Sequence, residues 1–294
     1  MIQINFYTLN ILLNIISLKF RILPRSVALF IGRLMGLFIY YCVPIRKRIA
    51  VQNIKIAFPE LSPSEVNHLL RKTCKHYGMV LVDFLRMPKL NENNIHNFVR
   101  LDSESKKVLD DCNGGIIMTG HLGNWEAFLP ALGLNGYPFV VVTQTQKSAG
   151  SQKFFNYIRS FPNISLIPRT GGRKEMLRVL DEHKFLGLAG DQNAGKRGID
   201  IPFFDIPASI PKGAALFHLK TGMPIIVGFC ILSGDLKYNL RLREMNLSSI
   251  PKRNEDAISK INTQYSKLLE IEVKEYPEQY FWFHRKWKKS IYKK

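Results

Sequence analysis

A histidine and a glutamate five positions apart, His121 and Glu126, stand in the most chemically suggestive stretch of the chain, residues 114–128, GGIIMTGHLGNWEAF. Neutral imidazole is a general base near neutral pH. A carboxylate on its other nitrogen selects the tautomer and stabilises the imidazolium that forms. A spacing of five does not place two side chains on one helix face, so the pair meets only if the chain turns between them, and Gly123 permits a turn. Glu126 is then expected to point back at the imidazole. No Ser or Cys stands at this turn, so the base would act on a hydroxyl of the substrate. The alternative is a structural histidine beside a helix-end carboxylate.

The surrounding elements must hold this pair. Ile116, Ile117 and Met118 form a short apolar run that suits a buried strand, and Asn124, Trp125 and Glu126 open a helical pattern that runs to Pro130. His121 therefore falls where a strand ends and a helix begins, the place where open α/β sheets bind ligands. Backbone N–H groups at the helix start, over Gly123, Asn124 and Trp125, are placed to stabilise an oxyanion. A second strand end, at 185–189, leads into Asp191 and Gln192 and then Lys196 and Arg197. A carboxylate and an amide there can bind substrate, with Arg197 nearby, or can close an Asx turn. Arg159, Arg169, Arg173 and Lys174 offer guanidinium and ammonium groups suited to phosphate.

The remaining pattern is alternating. Residues 139–142, 164–167, 185–189 and 224–232 read as strands, and 237–242 alternates as an edge strand does. Residues 151–159, 173–180, 211–221 and 254–273 read as helices. Ser62, Pro63 and Glu65 form a helix start with a capping box, followed by Val66, Leu69, Leu70, Cys74, Tyr77, Leu81 and Phe84 on one inward face. His68 and His76 on that helix read as surface or packing residues. The pattern predicts an α/β fold with a central mixed, partly parallel sheet flanked by helices. Residues 1–50 form a membrane-facing segment and 51–294 one catalytic domain.

Lys and Arg number 42 against 23 Asp and Glu, a formal charge of +19, so an anionic partner is expected. Cys42, Cys74, Cys112 and Cys230 are scattered without C-x-x-C, which argues for reduced thiols and against a zinc site. The apolar runs 2–18 and 27–43 are separated by Lys19, Arg21 and Arg25 and followed by Arg46, Lys47 and Arg48. They suit amphipathic helices in a membrane interface, or one imperfect anchor, with the basic clusters on the cytoplasmic leaflet; two buried core helices are the alternative. At the other end Tyr280, Phe281, Trp282, Phe283 and Trp287 accompany Arg285 and Lys286, a mixture that suits a membrane interface or an anionic groove. The same mixture stacks nucleic-acid bases, but the chain has no nucleic-acid motif and its first fifty residues are too apolar for such a protein.

Taken together, residues 53–60 (NIKIAFPE), 120–126 (GHLGNWE), Asp191-Gln192, Pro202-Phe203-Phe204 with Ala208, and Pro277-Glu278-Gln279 leading to Trp282, His284, Arg285 and Trp287 resemble the lipid A late acyltransferase family, within the wider lysophospholipid acyltransferases. The resemblance implies a glycerolipid acyltransferase-like fold, with His121 as catalytic base, Glu126 as its acidic partner, Asp191 in the active site and Arg159 as the active-site arginine. It implies a thioester donor on acyl carrier protein or coenzyme A and a hydroxyl acceptor on a phosphorylated glycolipid, with no metal or cofactor. It places the protein at the inner membrane with its catalytic domain on the cytoplasmic face. The family's glycine after Phe-Phe is Asp205 here, and no E-G-T-R phosphate motif is present. The same His/Glu pair acting on water would instead make a thioesterase or esterase.

Overall fold

The computed structural model describes residues 6–43, 46–250 and 255–292. The predicted starts of the first apolar run, at Ile2, and of the last helix, at Asn254, lie outside them, as do the final two lysines. Four helices come first: α1 (Phe6–Ile22), α2 (Arg25–Cys42), α3 (Lys47–Ala57) and α4 (Pro63–Arg86). The α/β portion then runs β1 (Val99–Leu101), α5 (Ser103–Cys112), β2 (Gly115–Thr119), α6 (Phe128–Gly133), β3 (Phe139–Thr143), α7 (Ala149–Ile158), β4 (Ile164–Pro168), α8 (Arg173–Asp181) and β5 (Phe185–Ala189). The hairpin β6 (Ile199–Phe203) and β7 (Ile206–Ile210) follows, then α9 (Gly213–Thr221), β8 (Ile225–Leu232), β9 (Tyr238–Glu244) and α10 (Glu255–Glu275).

Among the described residues, seven strands form one sheet in the order β1-β9-β8-β2-β5-β3-β4. Every neighbouring pair is parallel except β8 with β9. The predicted mixed, partly parallel α/β architecture is therefore what forms. β9 is not an edge strand as expected: β1 covers its outer side, and at three residues β1 is too short to give a periodic signal. The helical pattern after the central motif starts as a 3₁₀ turn over Trp125–Ala127 and continues past Pro130 as α6, because proline is tolerated in a helix's first turn.

The capping box at Ser62 and Glu65 is formed, with Glu65 N donating to Ser62 Oγ and Ser62 N to the Glu65 carboxylate. α4 is buried far more completely than one inward face requires. From His76 to Arg86 only Leu81 is exposed and Tyr77 half-buried, since α1 and α2 cover the side turned away from the sheet. Leu81, expected inside, is 42% exposed. α2 lies against α4 through Gly32 and Gly36. A Cβ on Gly36 would sit 2.1 Å from the Cys74 carbonyl oxygen and one on Gly32 2.6 Å from that of Gly78, so these backbones approach too closely for any side chain. Arg25 locks the same interface, donating Nε and Nη2 to the buried Asp83 carboxylate at 2.9 and 2.7 Å. Ser17 Oγ on α1 donates to Leu85 O at 2.6 Å.

The outward sides of these two helices stay apolar and exposed, with Ile11, Leu18 and Ile22 on α1 and Phe30, Leu34 and Phe38 on α2 each 48% or more accessible. α2 is long and apolar enough to cross a membrane by length and composition, and 22% of it is buried.

The hairpin β6–β7 turns at Phe204 (φ 49°) and Asp205 (φ 58°), both in the left-handed region. Two such residues make the two-residue turn that matches strand twist. Asp is among the few non-glycine residues that tolerate this conformation, and Glu270 of α10 accepts the Phe204 N–H at 3.0 Å.

Candidate active site

The register of β2 and β5 builds the site. Thr119 is paired with Ala189 at their carboxyl ends, so His121 and Asp191, each two residues beyond, emerge side by side. The His121 amide donates to Asp191 Oδ2 at 3.0 Å, and the ring Nδ1 lies 2.8 Å from Oδ1. Asp191 is fully buried and the His121 side chain 19% exposed. A carboxylate accepts only, so Nδ1 carries the proton and Nε2 holds the lone pair. The Gln192 carboxamide nitrogen reaches that Nε2 at 3.2 Å.

Burial works against a charged imidazole at His121, but the charge and hydrogen bond of Asp191 outweigh it and raise its pKa above the ordinary 6.5. Burial would also raise Asp191, and here the His121 contact, followed by the charges of His284 and Lys286, holds the carboxyl well below the usual range.

Glu126 does not meet the imidazole as expected. Its carboxylate turns to Arg159 at the end of α7, which donates Nε at 2.8 Å and Nη2 at 2.5 Å. The cause is local: the chain leaves Gly123 at φ 64° and enters a 3₁₀ turn, and the Asn124 side chain caps the Glu126 amide at 3.2 Å. Glu126 thus faces α7, and its charge acts on His121 through space. The two expected acidic roles fall to different residues, with Asp191 bonded to the ring and Glu126 to the arginine. Arg159 also lies over the Phe155 ring at 5.1 Å.

Gly123 is required. A Cβ there would stand 2.0 Å from the Cys230 carbonyl oxygen. The expected oxyanion donors at this turn are largely committed: Gly123 N donates to Gln279 O at 2.9 Å and Asn124 N to Cys230 O at 2.8 Å. These bonds tie the motif to β8 and to the C-terminal segment. Trp125 packs edge-on to the His121 ring at 4.5 Å and continues into Tyr77 and Phe281, at 5.9 and 6.3 Å, giving the imidazole a half-exposed aromatic wall. Arg197 lies on an exposed turn beyond Gln192, and its side chain makes no hydrogen bond or ion pair among the described residues.

Several site residues were not singled out from sequence. His76, placed as a packing residue, is buried with Nε2 3.3 Å from Gly123 O, and burial lowers its pKa to about 4. The Tyr77 hydroxyl lies 3.0 Å from the His121 carbonyl and 2.6 Å from that of Gln279.

Most of all, the aromatic and basic C-terminal segment is interior. Phe281 N donates to His121 O at 2.9 Å, and Trp282, Lys286 and Trp287 are almost wholly buried. His284 Nε2 is 3.9 Å from Asp191 Oδ2, and the Lys286 ammonium donates to Asp191 O at 2.6 Å. The expected membrane-interface role of this segment does not fit those positions. Asn53, in the NIKIAFPE stretch, holds it by donating to Trp282 O at 2.7 Å and His284 O at 2.8 Å. A signal was present in its composition: bulky aromatics interleaved with single cations also describe a segment wrapped over a polar core.

An open α/β sheet carries a hydrogen-bonded His–Asp pair at the ends of two adjacent parallel strands, the position where such sheets bind ligands. The chain belongs to the bacterial lipid A biosynthesis acyltransferase family, whose family model matches residues 2–289. It is 22% identical to a lipid A biosynthesis palmitoleoyltransferase of Escherichia coli (strain K12) over 90% of this chain and 86% of that protein. It is 23% identical to a phosphatidylinositol mannoside acyltransferase of Mycolicibacterium smegmatis, over 59% of each chain. A Mycobacterium tuberculosis protein of the same name is 22% identical over 56% of this chain. The chain thus spans 59% and 55% of the length of these two mycobacterial relatives.

Proposed function

We propose that the protein moves a fatty acyl chain from a thioester, on acyl carrier protein or coenzyme A, to a hydroxyl of a phosphorylated glycolipid, a lipid A precursor or a related lipid. The observation that carries this reading is the His121–Asp191 pair, with its basic nitrogen on the open side of the crevice. The acceptor hydroxyl displaces the Gln192 amide from Nε2 and gives its proton to the ring. Its oxygen attacks the thioester carbonyl. Collapse of the tetrahedral intermediate breaks the carbon–sulfur bond, and the departing thiolate takes the proton from the imidazolium.

Asp191 holds the tautomer and offsets the transient ring charge. Glu126, fixed by Arg159, supplies a second negative charge to that imidazolium. The Gln192 amide, once freed from Nε2, serves as a donor to the developing oxyanion, a role the committed amides of Gly123 and Asn124 leave open. The exposed apolar faces of α1 and α2 lie in the membrane interface at the cytoplasmic side of the inner membrane and bring the lipid acceptor to the aromatic wall around Trp125. The +19 charge favours an acidic carrier protein and a phosphorylated acceptor alike.

Purified protein given an acyl thioester with and without glycolipid acceptor tests this. Acylated lipid formed only with acceptor, and lost in His121→Ala, is the expected result. Free fatty acid as the main product in both cases would make the enzyme a thioesterase. Mass spectrometry of lipids from cells with and without the protein identifies the acceptor by the acyl chain it loses.

A further inference from the structure

Arg285, Lys286, Lys288 and Lys289 form a cluster in which Lys286 alone turns inward, 1% exposed against three exposed neighbours. Its ammonium bonds directly to the Asp191 carbonyl oxygen at 2.6 Å and lies 4.4 Å above the centre of the Phe203 ring. Burying a cation costs several kcal/mol unless its charge is used, and a methionine of similar length would fill this space without that cost. The nearby charges show where the field of the ammonium goes. The Asp191 carboxylate and Glu270 of α10 face it, and His121 and His284 both feel it. Glu126, itself paired with Arg159, also acts on the imidazole through space. The phenols of Tyr77, Tyr265 and Tyr280 feel the Asp191 charge and, being buried, are neutral at any physiological pH.

This arrangement has a difficulty that Lys286 resolves. A buried carboxylate bonded to an imidazole, with a second carboxylate nearby, drives the imidazole toward its protonated form, which cannot act as a base. We propose that Lys286 is a positioning residue that offsets the Asp191 charge from behind, so that His121 keeps its proton-accepting form at neutral pH. Burial lowers the Lys286 pKa to about 8, which leaves most molecules charged at pH 7. The carbonyl bond also pins the loop that carries Asp191 to the C-terminal segment. The proposal rests on the reading of His121 as the base.

The test is the pH dependence of kcat/KM in the full-length protein, with an NMR titration of the His121 ring in the same variants. In Lys286→Met the His121 midpoint rises by about one pH unit, which lowers the neutral fraction about tenfold below the midpoint. Acyl transfer at pH 6.5–7 falls by a similar factor and recovers toward pH 9. Lys286→Arg, which keeps the charge, recovers the wild-type profile. A loss equal at every pH, with the His121 titration unmoved, would reduce Lys286 to an anchor of the segment and overturn the proposal. If Lys286→Met does not fold, Lys286→Gln keeps an N–H donor without the charge and carries the same expectation. The titration is independent of turnover. A raised midpoint in a protein whose acyl transfer does not need His121 would sink the functional reading and leave the electrostatic role of Lys286 standing.

Discussion

The two ends of the chain look alike in sequence and do opposite things in the structure. Both combine large apolar side chains with clustered lysines and arginines, and both suit a membrane interface. At the N-terminal end α2 buries its small-residue side, Ala28, Gly32 and Gly36, against α4 and leaves Phe30, Leu34 and Phe38 outside. At the C-terminal end Tyr280, Trp282, Lys286 and Trp287 are inside, and the segment runs over the His121–Asp191 pair like a strap. Composition reports that a segment is amphipathic. Whether it covers the protein's own polar centre or another surface depends on whether such a centre lies within its reach. The strap has Asp191 beneath it, whereas α1 and α2 meet a side of α4 whose buried Asp83 and Arg86 are already satisfied by Arg25 and by the carbonyls of Phe20 and Leu23.

Substitutions at the two ends separate these roles, and the largest effect belongs beneath the strap. Asp191→Asn keeps the shape of the site but removes the charge that fixes the His121 tautomer. Acyl transfer should fall by roughly 10²–10⁴-fold, the usual worth of proton transfer by a positioned group, in steady-state assays on protein that remains folded. Trp282→Ala should cost about 3–5 kcal/mol in denaturant unfolding, as buried tryptophans do, and activity should fall with it because the strap carries the Phe281 amide to the His121 carbonyl.

Acid should loosen the same region. His76 and His284 are buried and neutral, each lowered by burial to about 4 from an ordinary 6.5. Between those two values the unfolded chain binds more protons than the folded one, so stability rises with pH there and is lost as pH falls from about 6.5 toward about 4. Unfolding free energies measured across that window should show the slope, and His76→Asn should make it shallower. A flat profile would mean that water reaches these rings.

Asn53→Ala strands two strap carbonyls and should cost about 1–3 kcal/mol in the same unfolding measurement. The smallest effect on stability is expected from the outer face of α2. Phe30, Leu34 and Phe38 replaced together by serine should change unfolding by no more than about 0.5 kcal/mol each, yet abolish sedimentation with anionic vesicles. A loss of stability comparable to that of Trp282→Ala, with vesicle binding retained, would erase the contrast between the two ends.

Much of this protein was legible residue by residue. The apolar run before His121 and the run before Asp191 became neighbouring strands of the sheet, and the Ser62–Glu65 cap and the β/α alternation formed as their local chemistry requires. These features depend on interactions within a few residues, which periodicity and capping express directly.

What sequence did not determine was which acid meets the imidazole. Glu126 is five residues from His121 and Asp191 seventy, yet the distant one is bonded to the ring. That choice follows from β2 and β5 lying side by side in register, an ordering set by how the strands pack and not by anything within either strand. Glu126 was lost to the ring for a related reason: the end of α7 brings Arg159 to it, and a bidentate guanidinium is the stronger partner. The strap likewise became interior where it meets the His121–Asp191 pair assembled at two strand ends, with the Phe281 amide on the His121 carbonyl and the Lys286 ammonium on that of Asp191. Local order is written in neighbouring residues, whereas burial and charge pairing are settled by elements far apart in the chain that meet only once the sheet has formed.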